Sequence, residues 1–222
     1  MSTRVYLMRH AETAEPGVFH GYESNVDLGA RGYRQAEAVA PFVAALKPDV
    51  LISSNMLRAR RTAEVIARAC QLPFQIEPDL HERRLGNMQG TPIQSEFGVW
   101  PETLARWVAG ETNYAPAGME SFDQIRDRVL PVWNRVTLEN KGKSIVIVAH
   151  GIVCRVILLS VLEGYNAADW QRLGRIANVS ISELIECGRA WRAERIGYLC
   201  DEVRKINEAE EVRTPGPHGR GH

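Results

Sequence analysis

Two histidines, two arginines and a pair of serines stand where short apolar runs end. Val5–Met8 runs into Arg9-His10, and Val50–Ile52 runs into Ser53-Ser54 with Arg58 four residues on. Ile145–Val148 runs into Ala149-His150-Gly151. Arginine presents a rigid fork of donors that matches the oxygens of a phosphoryl group. A neutral imidazole can attack phosphorus and so divide one hard displacement into two easier ones. Brought to one point, His10, His150, Arg9 and Arg58 would hold a dianionic phosphoryl group and balance its charge during transfer. A single histidine at a strand end is ordinarily a hydrogen-bonded structural residue, and Arg60 and Arg61 read as a solvated helix face. Joint placement at successive strand ends is what sets His10, His150, Arg9 and Arg58 apart.

Such convergence needs strands that lie side by side and point the same way. The three apolar runs read as buried strands, with Phe74–Ile76 as a brief fourth. Helical spacing recurs at Ala36, Val39, Ala40, Val43 and Leu46, from about Leu57 to Ala69, and at Phe122, Ile125, Val129, Val132 and Val136. Pro131 inside the last of these is expected to kink or divide it. Val153–Leu162 reads as a further apolar helix, and Ile181–Cys187 with Trp191–Ile196 as a closing hairpin about Gly188-Arg189. Gly17–Gly32 reads as a loop, and residues 80–118 as irregular apart from a helix near Glu102–Val108. Strands alternating with helices predict an α/β fold, a three-layer αβα arrangement around a mainly parallel central sheet, with an irregular cap segment at about 86–118. One catalytic unit over residues 1–200 is expected, then a C-terminal helix over 201–213 and a disordered tail over 214–222. In a parallel sheet, ligands sit beyond the carboxyl ends of the strands, where helix N-termini add N–H donors.

Composition narrows the partners. The 222 residues suit one large domain, and 27 basic residues balance 27 acidic ones, without the basic excess of a nucleic-acid binder. No apolar run reaches membrane-spanning length, and the N-terminus lacks the shape of a signal peptide, so a cytoplasmic protein is expected. Cys70, Cys154, Cys187 and Cys200 are widely spaced and read as thiols in a reducing compartment, not as zinc ligands. His10-Ala11-Glu12 alone is too little for a metal site, and no cofactor is expected.

Several segments, taken in order, resemble one family. Arg9-His10-Ala11-Glu12-Thr13 resembles the R-H-G-E-T signature of the histidine phosphatase, or phosphoglycerate mutase-like, superfamily. Ser54–Glu64 is similar to its S-P-L-x-R-A-x-x-T-A-E segment, and Leu80–Gly86 with Gln89-Gly90 to its acid-bearing loop. Gly118–Ser121 resembles its G-G-E-S turn, Val148–Gly151 its second histidine motif, and Asn178–Ile181 its N-x-S-I strand. The resemblance spans roughly residues 4–186. It implies a phosphorylated nucleophile at His10, phosphoryl-binding roles for Arg9, Arg58 and His150, and proton transfer by Glu82. Nothing in the spacing by itself brings Glu82 near His10. Thr13, Gly21, Arg83 and Gly151 complete the expected substrate contacts.

Departures from the pattern bear on the activity. Ala11 stands where glycine is usual, and Asn55 where proline is common; neither is expected to cost activity. The mutase branch carries a later adjacent arginine pair for the substrate carboxylate, whereas residues 95–117 offer only Arg106. The mutase asparagine just beyond the first motif is replaced by Ala14-Glu15-Pro16-Gly17. Both favour a phosphatase acting on a small phosphorylated substrate through phosphohistidine. A phosphoglycerate mutase is the alternative, and a non-catalytic phosphate-binding or scaffold protein the second. Specificity is expected in Gly17–Gly32 and the 86–118 segment, where Trp100, Trp107 and Tyr114 would either line an acceptor pocket or pack the cap's own core. The hairpin at 181–196 offers a homodimer surface.

Overall fold

The computed structural model describes residues 2–93, 98–188 and 190–213. The tail at 214–222, part of the cap and Arg189 of the hairpin turn therefore lie outside the described residues. Six strands form one sheet in the order β3-β2-β4-β1-β5-β6. They are β1 (Arg4–Arg9), β2 (Val50–Ser54), β3 (Phe74–Glu77), β4 (Ser144–Ala149), β5 (Ile181–Cys187) and β6 (Ala190–Tyr198). The first four run parallel, and the β5–β6 hairpin adds antiparallel to β1. The fold is the α/β sandwich expected, with a mostly parallel sheet.

Alternation along the buried strands assigns the two faces. Val5, Leu7, Ile145 and Ile147 pack with α4 (Phe122–Glu139) and α5 (Gly151–Val161). Tyr6, Met8, Val146 and Val148 pack with α1 (Ala30–Ala45) and α2 (Leu57–Cys70). Continuous apolar runs are what a sheet covered on both sides requires. In the cap, α3 (Val99–Val108) buries Trp107 against Phe122 and Trp170. The helix expected over 201–213 is α6 (Asp201–Arg213), which packs on α1 where Asn207 Oδ1 accepts from Gln35 at 2.9 Å.

Two expectations need correction. Of the two effects expected of Pro131, division of α4 does not occur, because the helix runs unbroken. Proline and the carbonyl partner it forfeits, on Asp127, both belong to exposed residues, while Val129, Val132, Trp133 and Val136 keep the inner face continuous. The loop expected over Gly17–Gly32 also gives way early, because α1 begins at Ala30 and takes in Gly32. A Cβ at Gly32 would lie 1.9 Å from the Glu12 carbonyl oxygen, so the helix seats directly on the backbone beside His10. Gly32→Ala is expected to destabilise by about 1–3 kcal/mol or more, as overpacking does. A thermal melt should show a Tm lower by several degrees; an unchanged Tm would mean that α1 can yield at no cost.

Candidate active site

β4 lies between β1 and β2, with Arg9 abreast of Ala149 and Ser53 abreast of Val148. The strands therefore end together and release His10, His150 and Ser54 at one rim. The His10 N–H donates to the Ala149 carbonyl at 2.9 Å, and the two imidazole centroids stand 5.1 Å apart. On the far side, the Asn178 amide donates to the His10 carbonyl at 3.0 Å, and Val179 N–H to the Arg9 carbonyl at 3.0 Å. Val179 holds φ at 52°, a conformation unusual for a β-branched residue, so this clamp is strained. Ala11, in place of glycine, points its methyl into the core beside α2, where it is fully buried.

The hydrogen bonds of His10 decide its chemistry. Its Nδ1 lies 2.6 Å from the Ala11 carbonyl oxygen, which can only accept. Nδ1 therefore carries the proton, and Nε2 keeps its lone pair. Burial, then Arg58 and Arg9, push His10 well below the usual imidazole range. His150 is pushed down in the same way by burial, Arg58 and His10. Both rings are neutral at pH 7, the state a nitrogen nucleophile needs. His150 Nε2 is held 2.9 Å from Ser54 Oγ.

Positive charge surrounds the pair. Arg58, on the first turn of α2, donates to the carbonyls of Ser24 at 2.7 Å, His20 at 3.1 Å and Gly21 at 3.2 Å. Burial pushes its guanidinium down to about 10, which still leaves it charged at neutral pH. Arg9 donates to the Ile176 carbonyl at 2.9 Å and stacks over Gly151, where a Cβ would sit 3.4 Å from Arg9 Nε. Helix α5 starts at Gly151, two residues earlier than its apolar pattern suggests, so its N-terminus reaches the rim. The Nε atoms of Arg9 and Arg58 and the Nδ1 of His150 are buried without hydrogen-bond partners. Unmet buried arginine donors are costly, and the oxygens of a phosphoryl group would satisfy donors of this kind.

A cavity of about 520 Å³ opens over this rim. Arg9, His10, Thr13, Glu82 and Gly151 line it, while Arg58 and His150 lie fully buried and off its wall. Tertiary folding brings in Glu82, whose two carboxylate oxygens accept from Arg83 N–H at 2.9 Å and Ile152 N–H at 3.2 Å. Two further expected contacts, like Arg58 and His150, lie off the cavity wall. Arg83 is fully buried off the cavity, its Nε donating to the Glu120 carbonyl at 2.7 Å and its guanidinium 4.7 Å from the Trp107 ring centre. Gly21 is also off the wall: a Cβ there would lie 2.7 Å from the Arg83 carbonyl oxygen, and its own carbonyl holds Arg58. The cap aromatics divide, with Trp100 on the cavity wall and Trp107 fully buried in the core.

Sequence reading missed Arg155 and Arg175, which also line the cavity. Arg155 carried a signal, as the one charged residue in the apolar helix Gly151–Val161. Arg175 sits in an irregular stretch with no pattern to mark it.

A family profile for the histidine phosphatase superfamily (branch 1) matches residues 5–198. A metal-independent phosphoserine phosphatase of Arabidopsis thaliana is 32% identical over 185 residues, covering 81% of this chain and 75% of that protein. A probable phosphoglycerate mutase of Serratia proteamaculans is 30% identical over 214 residues, covering 96% of each. The solved structure of a mycobacterial glucosyl-3-phosphoglycerate phosphatase shares the fold, with a TM-score of 0.78 at 23% identity over 90% of this chain and all of that one. Fold, paired histidines and profile agree: the chain belongs to the histidine phosphatase superfamily, branch 1, and is a hydrolase of the phosphatase type.

Proposed function

We propose that this phosphatase hydrolyses a small phosphomonoester in two displacements at His10. The observation that carries the reading is the fixed tautomer of a neutral His10, with Nε2 as its free nucleophilic nitrogen. Nε2 attacks phosphorus, the ester P–O bond breaks, and the departing alkoxide takes a proton from Glu82 in its acid form. Glu82 then draws a proton from water, which attacks the phosphohistidine and releases inorganic phosphate. Arg9, Arg58, His150 and the Gly151 end of α5 hold the phosphoryl oxygens, and Thr13 lines the approach. Arg106 supports hydrolysis over mutase chemistry, because it is a half-buried residue paired with Glu102 at 3.3 Å and Glu111 at 3.0 Å, off the cavity wall.

Charge balance in this scheme comes from side chains and one helix end, so exhaustive EDTA treatment is expected to leave the rate unchanged. The assay is phosphate release from a panel of monoesters, including p-nitrophenyl phosphate. Loss restored by Zn²⁺ or Mg²⁺ would place the reaction in metal-assisted hydrolysis. Interconversion of 2- and 3-phosphoglycerate without phosphate release would make it a mutase, and binding without turnover a phosphate-binding protein. The same proposal places the enzyme in the cytoplasm, which suits its four unpaired cysteines, Cys187 among them exposed. It keeps the β6 edge as the surface on which two copies would pair.

A further inference from the structure

The peptide between Ala11 and Glu12 holds His10 by one edge and is itself held by the other. Its carbonyl accepts from His10 Nδ1 at 2.6 Å, and its N–H donates to Gln35 Oε1 at 3.0 Å. Gln35 is buried on α1, and its Nε2 donates to Asn207 Oδ1 of α6 at 2.9 Å. Arg31, one turn earlier on α1, donates to the same Oδ1 at 3.2 Å and lies 3.4 Å from the Glu12 carboxylate. The contacts therefore close on themselves, from Glu12 through Gln35, Asn207 and Arg31 back to Glu12. Only one orientation of each amide serves this ring, because a main-chain N–H and a guanidinium can only donate. Helix α6 begins at Asp201, beyond every motif that resembles the family.

The proton of a neutral imidazole settles on the nitrogen that faces an acceptor. For His10 that acceptor is the Ala11 carbonyl, which faces Nδ1 only while its peptide plane keeps its tilt. Gln35 draws the N–H edge of the plane toward α1 and so keeps the carbonyl edge on His10. Other groups fix the two preceding peptides: the His10 N–H donates to Ala149 and the Ala11 N–H to Thr62 Oγ1 at 3.0 Å. From His10 to Asn207 the three bonds all donate outwards, so each amide polarises the next. Resting on the phosphohistidine reading, we propose that Gln35 and Asn207 are positioning residues for the nucleophile. Through them the C-terminal helix keeps the proton of His10 on Nδ1 and leaves Nε2 free to attack.

NMR of the full chain labelled with ¹⁵N at histidine shows which ring nitrogen of His10 carries the proton. Asn207→Ala removes the acceptor that Gln35 and Arg31 share, and alanine favours the helix, so α6 should keep its fold. In this variant the His10 Nε2 signal should move toward the protonated position. The kcat for p-nitrophenyl phosphate should fall by about 10- to 100-fold, the range for partners that orient a functional imidazole. Inhibition by inorganic phosphate should change far less, because Arg9, Arg58 and His150 are untouched. Asn207→Asp keeps an acceptor and should restore most of the rate together with the original spectrum. Gln35→Met, similar in length, takes the acceptor from the Glu12 N–H itself and should give the larger effect. A His10 spectrum unmoved in Asn207→Ala and Gln35→Met, or equal losses in Asn207→Ala and Asn207→Asp, would overturn the relay. A moved spectrum with undiminished kcat would uphold the relay and defeat His10 as the nucleophile instead.

Discussion

His10→Ala is expected to lower turnover by on the order of 10⁵–10⁶-fold, the loss seen when a covalent nucleophile is removed. The size follows from the site. Arg9, Arg58 and His150 can still bind and polarise a phosphate ester, but among the described residues no other imidazole offers a free Nε2 at the cavity wall: His20 Nε2 lies 2.8 Å from the Glu15 carbonyl oxygen, and His150 Nε2 faces Ser54. Water would have to attack the ester directly, without the division into two steps. The fold should survive, because the ring makes one hydrogen bond among the described residues, to its neighbour Ala11, and a tilted ring contact with His150. Circular dichroism and Tm close to wild type would document that. Brief mixing of the wild type with a labelled monoester, then quenching, should trap acid-labile, base-stable label in the peptide holding His10. Label on a serine, or substantial turnover by the variant, would end the phosphohistidine mechanism.

Glu82→Gln is expected to slow hydrolysis of alkyl phosphates by roughly 10²–10⁴-fold, the range of general acid–base catalysis. A leaving alkoxide needs a proton badly, whereas p-nitrophenolate hardly does, so phosphoenzyme formation from p-nitrophenyl phosphate should suffer much less. Dephosphorylation should still slow, because water loses its base, and single-turnover bursts separate the two steps. Glutamine keeps the shape but has one acceptor oxygen where Glu82 uses two, for Arg83 N–H and Ile152 N–H. A melt therefore belongs beside the kinetics. Equal, small losses on both substrates would remove Glu82 from the acid's role. Asp79 and Glu120 then look eligible by residue type alone. The structure commits Glu120 to Arg128 at 2.8 Å and puts neither on the cavity wall, where Glu12 is the other carboxylate.

Apolar patterning along the chain specifies the strands, the helices that cover them, and the residues that sit at strand ends. Short apolar runs such as Val5–Met8 and Ile145–Val148 specify buried parallel strands, and a strand's next residue must lie at the sheet's rim. His10, Arg9 and His150 were legible for that local reason, and helical periodicity placed Arg58 on the first turn of α2. The folded chain alone reveals that β4 inserts between β1 and β2, because strand order is set by crossover packing and leaves no mark within a strand. It alone brought Glu82 from a polar loop to the α5 N-terminus and sent Arg83, its neighbour, between tryptophans instead of into the cavity. It also brought Arg155 and Arg175 to the cavity wall, from a helix and an irregular loop twenty residues apart. Loop side chains carry no periodic signature, so their meeting depends on the path of the folded chain and on the contacts that hold it there.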